Sequence, residues 1–348
     1  MKTLIEMKKA SANDNDARGA KSKKPRAFRA NRVGPRPSPT RARSWAPAIL
    51  ATFFSIGCNT NFDPPSEIEG TRVVGARVEV MGAPERASPA PGETATVTWF
   101  VTAPAATPPL QWAFALCLPA PLGALGCDGV PLATFTGADS PPRTTFTVPS
   151  AASLGTNTHL VLYGRICSNA APTFDPEIGI PSCAGGGEGT TTSLSILVEP
   201  AASADANHNP TADHGFTFDG QPWPALASGA DPCVTSPKIP AGSDAHQIGL
   251  SAVGTDRERY TAMFGDPPVP TPERESLQFS LFSTSGKLKS PFIFVEAADP
   301  SATTALAMKW TAPKLGEVTA PKPITFTFVL RDDRGGTDWT TRAACVTP

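Results

Sequence analysis

The chain has 348 residues, enough for two ordinary domains with their own cores, and its 30 Lys+Arg nearly balance 31 Asp+Glu. That balance hides an asymmetry: residues 1–44 hold 13 Lys+Arg against Glu6, Asp14 and Asp16, residues 45–57 carry no charge, and the remainder holds 17 Lys+Arg against 28 acids. An acidic main part argues against a surface built for phosphate backbones, and no apolar run reaches the roughly 20 residues that span a bilayer as a helix.

From the start of the chain, a basic stretch, the apolar run Trp45–Gly57 and then small residues match the three-part layout of a secretory signal. Residues 1–57 therefore read as a basic leader and signal segment, removed on export. A translation start further along, near Val33, accounts for the unusual length of the leader. A phosphate-binding arm is the other reading, disfavoured by the opposite charge of residues 58–348. Residues 58–70, "CNTNFDPPSEIEG", are polar and aperiodic, as expected of a flexible tether.

Short β-patterned segments come next. In residues 71–200 they are expected at Arg72–Val80, Glu93–Val101, Leu110–Leu116, Arg143–Val148, His159–Cys167 and Thr191–Val198; "TATVTWFV" shows the alternation of a strand with one buried face. The small, polar stretch "PAASADANHNP" marks a linker at residues 201–210, since Asn-Pro disfavours helix. Residues 211–348 repeat the style at Gly215–Phe218, Gln247–Val253, Leu277–Ser283, Phe292–Glu296, Ala305–Trp310, Ile324–Arg331 and Asp338–Val346. A Gly335-Gly336 turn is expected to close a hairpin between the last two. The 39 prolines and 29 glycines fall mostly between these runs, and no stretch shows a 3.6-residue amphipathic period. The fold class is all-β, with two tandem β-sandwiches.

Seven cysteines refine the setting. Beyond Cys58, an even set of six in an exported chain reads as three disulfides; six cysteines permit 15 pairings, of which locality favours Cys117–Cys127 and Cys167–Cys183, leaving Cys233–Cys345. No C-x-x-C pair is present, so thiolate metal sites and thioredoxin-like chemistry lack support.

Cys58 is then unpaired, and "Ser55-Ile56-Gly57-Cys58" resembles the lipobox of bacterial lipoproteins, in which the first mature residue is an acylated cysteine. Ser55 departs from the aliphatic residue usual there, and Ser-x-Gly also suits an ordinary signal peptidase; both would cut the same bond. The resemblance implies a lipid on Cys58, a membrane as partner, and, with Asn59 next in the chain, an outer-membrane destination. The boundary "DANHNP" and the ending "FTFVLRDDRGGTDW" resemble the immunoglobulin-like, PKD-like and cadherin-like modules of bacterial surface proteins, and "PGETATVTWFV" is similar in the first half. That likeness implies immunoglobulin-like sandwiches and no particular activity.

By the same resemblance, Asp205, Asn207 and Asn209 stand where a cadherin-type linker holds calcium, with Asp213, Asp332 and Asp333 as further oxygen donors. His208 departs from that pattern, and the other reading is a polar hinge beside a solvated turn. Trp99, Trp112, Trp310 and Trp339 are expected in cores, whereas Trp223, flanked by Pro222 and Pro224, is the candidate for stacking on a ligand. Of the four histidines, His159 lies on an expected strand. No G-x-S-x-G, H-E-x-x-H or P-loop motif occurs, although a carboxylate pair for glycoside hydrolysis would need no local spacing. The expectation is a non-catalytic envelope lipoprotein for binding, adhesion or scaffolding, with a protein or glycan partner, no nucleic acid, and no cofactor beyond calcium. A secreted, unlipidated binding module is the first alternative and a carboxylate-based envelope hydrolase the second.

Overall fold

Alternating burial along the strands builds two cores. The computed structural model describes residues 66–348 apart from 105–106, 121–126, 176–179, 201–202, 204 and 228; the expected signal and Cys58 lie outside the described residues. The first half contributes β1 (Arg72–Val80), β2 (Thr94–Thr102), β3 (Leu110–Cys117), β4 (Ala133–Gly137), β5 (Arg143–Thr147), β6 (His159–Ser168), β7 (Pro172–Phe174), β8 (Pro181–Cys183) and β9 (Gly189–Leu197). Two antiparallel sheets, ordered β1-β2-β5 and β4-β3-β6-β9, share a core in which Trp99 stacks on Phe114 with ring centroids 4.9 Å apart.

The second half adds β10 (Thr217–Phe218), β11 (Gln221–Pro222), β12 (Lys238–Pro240), β13 (His246–Val253), β14 (Arg259–Phe264), β15 (Val269–Arg274), β16 (Leu277–Ser283), β17 (Lys287–Leu288), β18 (Phe292–Val295), β19 (Thr303–Thr311), β20 (Lys322–Asp332) and β21 (Thr337–Thr347). Its five-stranded sheets are ordered β11-β10-β13-β19-β17 and β12-β21-β20-β16-β18. They enclose Trp223, Phe279, Trp310, Phe326 and Phe328, and the β12–β21 pairing is parallel. The all-β expectation holds, and Arg72–Val80 and Leu277–Ser283 fall where the alternation puts them. The hairpin β14–β15 is not among the expected strands. Pro270 and Pro272 give β15 no backbone donors at those positions, which is tolerated because each of its strands pairs only with the other.

One hydrophobic cluster draws on residues 76–198 and the other on 212–346, yet the described chain belongs to one compact unit. Phe100 of β2 stacks flat on Trp339 of β21, centroids 5.0 Å apart. Arg77 pairs with Asp338 at 2.7 Å, Arg331 donates to the Val74 carbonyl, and Asn209 bridges the halves by donating to Val78 O and accepting from Thr337 N. A Cβ on Gly75 would stand 3.3 Å from Val329, so glycine lets β1 approach that surface closely.

Two expectations are corrected here. The linker is not a loose hinge: Asn207 O accepts from Ala87 N, Asn209 N donates to Glu85 O, and Asn207 is 1% exposed. Nor is the tether free as far as residue 70. Ser66 and Ile68 exchange backbone hydrogen bonds with Ser283, and Ile68 is buried. In both places a buried apolar or amide side chain, inconspicuous in a polar stretch, overrides local composition.

The six described cysteines stand in three pairs, Cys117–Cys127, Cys167–Cys183 and Cys233–Cys345, with Cα separations of 5.0, 5.8 and 4.8 Å. Cys233–Cys345 closes the longest loop, 112 residues, and joins the segment before β12 to β21. Removing a disulfide from an exported domain costs about 2–5 kcal/mol. A C233S/C345S variant is therefore expected to melt roughly 5 °C or more below the parent in a thermal scan; an unchanged melting temperature would refute a stabilising role for this link.

Candidate functional site

The turn between β20 and β21 places a cation at the meeting point of the two halves. Asp332 Oδ1 accepts the N–H groups of Arg334 and Gly336 at 2.9 and 2.8 Å, and Gly335 takes a positive φ of 105°. A Cβ at Gly336 would lie 2.0 Å from Asp332 Oδ2 and 2.6 Å from the His208 carbonyl, so only glycine fits. "Asp332-Asp333-Arg334-Gly335-Gly336" is thus a shaped loop that projects one arginine inward.

The Arg334 side chain is 8% exposed. Its guanidinium meets Glu275 at 3.3 Å and Glu199 at 2.5 Å, donates to the Asp205 carbonyl, and lies 4.7 Å from the centre of the Tyr260 ring. Each acid is engaged again. Glu199 accepts Asn207 N at 3.0 Å, Glu275 accepts Glu258 N at 2.9 Å, and Glu258 accepts both His208 N and the His208 ring. One guanidinium thereby ties the end of the first half, the linker, the β14–β15 hairpin and the β20–β21 turn.

Acids outnumber cations in this cluster. Burial, and after it the neighbouring Asp332 charge, pushes Glu275 up to about 8. Burial likewise raises Asp332 to about 7, although backbone N–H groups of its own turn oppose the shift. Asp332 Oδ2 and both polar atoms of the Asn207 side chain are buried without a protein partner.

Beside the cluster opens a cleft of about 780 Å³, the size of an ordinary small-ligand site. His159, Glu199 and Ser203 line it from the first half and the linker, and Tyr260, Met263 and Arg334 from the second. The hairpin supplies an apolar rim through Met263, which is more than half exposed. The cleft combines hydroxyls, a half-covered tyrosine and charged groups with this rim, which equips it to hold a polar ligand against an apolar edge.

The residues expected to bind calcium are scattered among separate structural tasks. Asp205 uses its carbonyl for Arg334, Asn209 bridges the two halves, Asp332 caps its turn and Asp333 accepts from Ser276. Asp213 pairs with the buried Arg342. Among the described residues, no group of three or more His, Cys, Asp or Glu is placed to hold a metal ion. The stacking role expected of Trp223 is corrected: this side chain is 3% exposed, donates Nε1–H to the Ala343 carbonyl at 2.8 Å, and packs edge-on against Phe326. Its flanking prolines signal a loop, but the indole turns into the core. Of the other tryptophans, Trp99, Trp112 and Trp310 are buried, and Trp339 fills the contact between halves.

The chain matches no family model and no curated protein. Glu199, Glu258, Glu275 and Arg334 are not recognisable as a group in the sequence. The Asp-Asp-Arg-Gly-Gly loop is the available signal, but Glu199 and Glu275 lie 135 and 59 residues from the arginine.

The electrostatics of the cluster set its response to pH and to mutation. Glu275 and Asp332 hold protons in the fold that the unfolded chain releases, so their contribution to stability is fully present below about pH 4 and is lost as pH rises toward about 8. The melting temperature should drop between pH 5 and 8.5, and Glu275→Gln should flatten that slope; an unaltered slope in the variant would contradict the assignment. Arg334→Ala leaves the largely buried Glu199 without its cation and should lower the melting temperature at pH 7 more than an exposed arginine-to-alanine change, Arg143→Ala serving as the comparison.

Proposed function

We propose that this protein is a bacterial envelope lipoprotein, anchored through lipid on Cys58, whose two-core body offers the cleft beside Arg334 to a protein or glycan partner. The observation that carries the binding role is the cleft itself, walled by both halves and held in shape by a network with little freedom to relax. Pre-organised concave sites with a few converging polar groups are the usual setting for ligand binding. The three disulfide pairs are consistent with an oxidising, extracytoplasmic compartment. No described helix is long and apolar enough to cross a membrane; the attachment in this reading is the lipid. The immunoglobulin-like character of the two modules and the outer-membrane destination belong to the same proposal. They rest on the boundary and hairpin motifs and on Asn59.

Ser55 favours a second reading, in which an ordinary signal peptidase releases the same body without lipid. The two separate by mass. Protein extracted from membranes should carry a thioether-linked diacylglyceryl mass on Cys58 and partition into detergent, and Cys58→Ser should move it to the aqueous phase. A wild-type mass lacking acyl groups removes the anchor. For the cleft, Met263→Asp is expected to weaken binding to a glycan or envelope-protein ligand found by array screening at least tenfold, with little change in melting temperature because Met263 is 59% exposed. Unchanged affinity would place the binding surface elsewhere.

A further inference from the structure

At the far side of the second core, three side chains from separate segments form a chain of hydrogen bonds. Asp219, in the turn after β10, has a positive φ of 49° and is followed by Gly220 at 79°. This turn aims the carboxylate at the start of β13: Oδ1 accepts Gln247 N at 2.8 Å and Oδ2 meets His246 Nδ1 at 2.7 Å. The His246 ring is held by stacking on Phe218, centroids 5.3 Å apart, with Trp310 at 6.0 Å. Its Nε2 lies 2.8 Å from Ser243 Oγ, in the turn between β12 and β13. Gly242 begins that turn with a φ of 72°.

The geometry points to Ser243 as a nucleophile activated by His246 and oriented by Asp219, acting on neutral esters with a small apolar acyl group. A nucleophile bonded to a base that is itself oriented by a third group is the arrangement such chemistry requires. With Nδ1–H directed at the carboxylate, Nε2 offers its lone pair to the serine hydroxyl. Asp244 and Ala245, both exposed residues, carry the backbone N–H groups next along the chain from the nucleophile. Leu315 is 76% exposed and stands against Gly242, where a Cβ would meet it at 3.4 Å, so an apolar acyl group has a surface beside the serine. The carboxylates of Asp219 and Asp244 disfavour an anionic substrate.

In the reaction, Ser243 Oγ bonds to the ester carbonyl carbon while its proton passes to His246 Nε2. The ester C–O bond breaks, and that proton leaves with the alcohol. Water then attacks the acyl-serine, giving one proton to His246, which returns it to Ser243 as the acid departs. This activity is independent of the cleft and of any lipid on Cys58.

A relay that merely fastened the turn would share these contacts, so the test reads reactivity. Purified wild-type protein treated with a fluorophosphonate probe should gain one adduct, mapped to Ser243 by peptide mass, and should hydrolyse p-nitrophenyl butyrate. Ser243→Ala should lose the adduct and at least about a hundredfold in rate. Asp219→Asn should slow labelling by a similar factor and alter its pH profile, with circular dichroism confirming that both variants are folded. Absence of an adduct on the wild-type protein after prolonged excess probe, or an adduct on another residue, would overturn the proposal.

Discussion

The arrangement of the two halves depends on one guanidinium held among buried acids. Glu275 has no exposed surface and Glu199 little, and a carboxylate without a partner in such a place is costly. Arg334 compensates both while donating to the linker carbonyl at Asp205. Its planar fork supplies several donors in fixed directions, which a lysine would not. The cluster still has more acids than cations, and Glu275 and Asp332 meet that excess by retaining protons near neutrality. Such a network does less to raise net stability than to make one arrangement of the segments much better than its alternatives.

This changes how the two cores act together. Tandem sandwiches on a soft linker would present two independent surfaces. Here the flat contact of Phe100 on Trp339, the Arg77–Asp338 pair and the pinned Asn207 join them into one body. A cleft walled by both halves takes its shape from the contacts of that joint. Groups that line it, such as Tyr260 under Arg334, are therefore held in place before any ligand arrives.

Much of the strand plan is legible because it rests on local alternation. "TATVTWFV" puts Ala95, Val97 and Trp99 inside, and the chain does so. The β14–β15 hairpin escapes because its prolines read as breaks in a strand, although a strand with a single partner tolerates them. Trp223 misleads for a related reason: proline and exposure usually go together, but the pocket that takes the indole is built by β20 and β21, about a hundred residues or more further on. The site is the least legible part. Arg334, Glu275 and Glu199 meet only after both cores form, and no spacing in the sequence encodes that meeting. The Ser243–His246 spacing of three residues is visible, but its meaning depends on Asp219 arriving from another turn.

The docking of Ser66 and Ile68 on Ser283 has a mechanical side. Ser283 ends β16, which lies in the same sheet as the terminal strand β21, so the described chain enters and leaves through one sheet. Tension applied from the N-terminal side is delivered first to the second core, through two backbone hydrogen bonds and the buried Ile68. The first core, which the chain builds next, hangs as a side branch off the load path. When the clamp on Ser283 parts, the chain passes the load on to β1, whose Arg77 pairs with Asp338 in the joint beside the cleft.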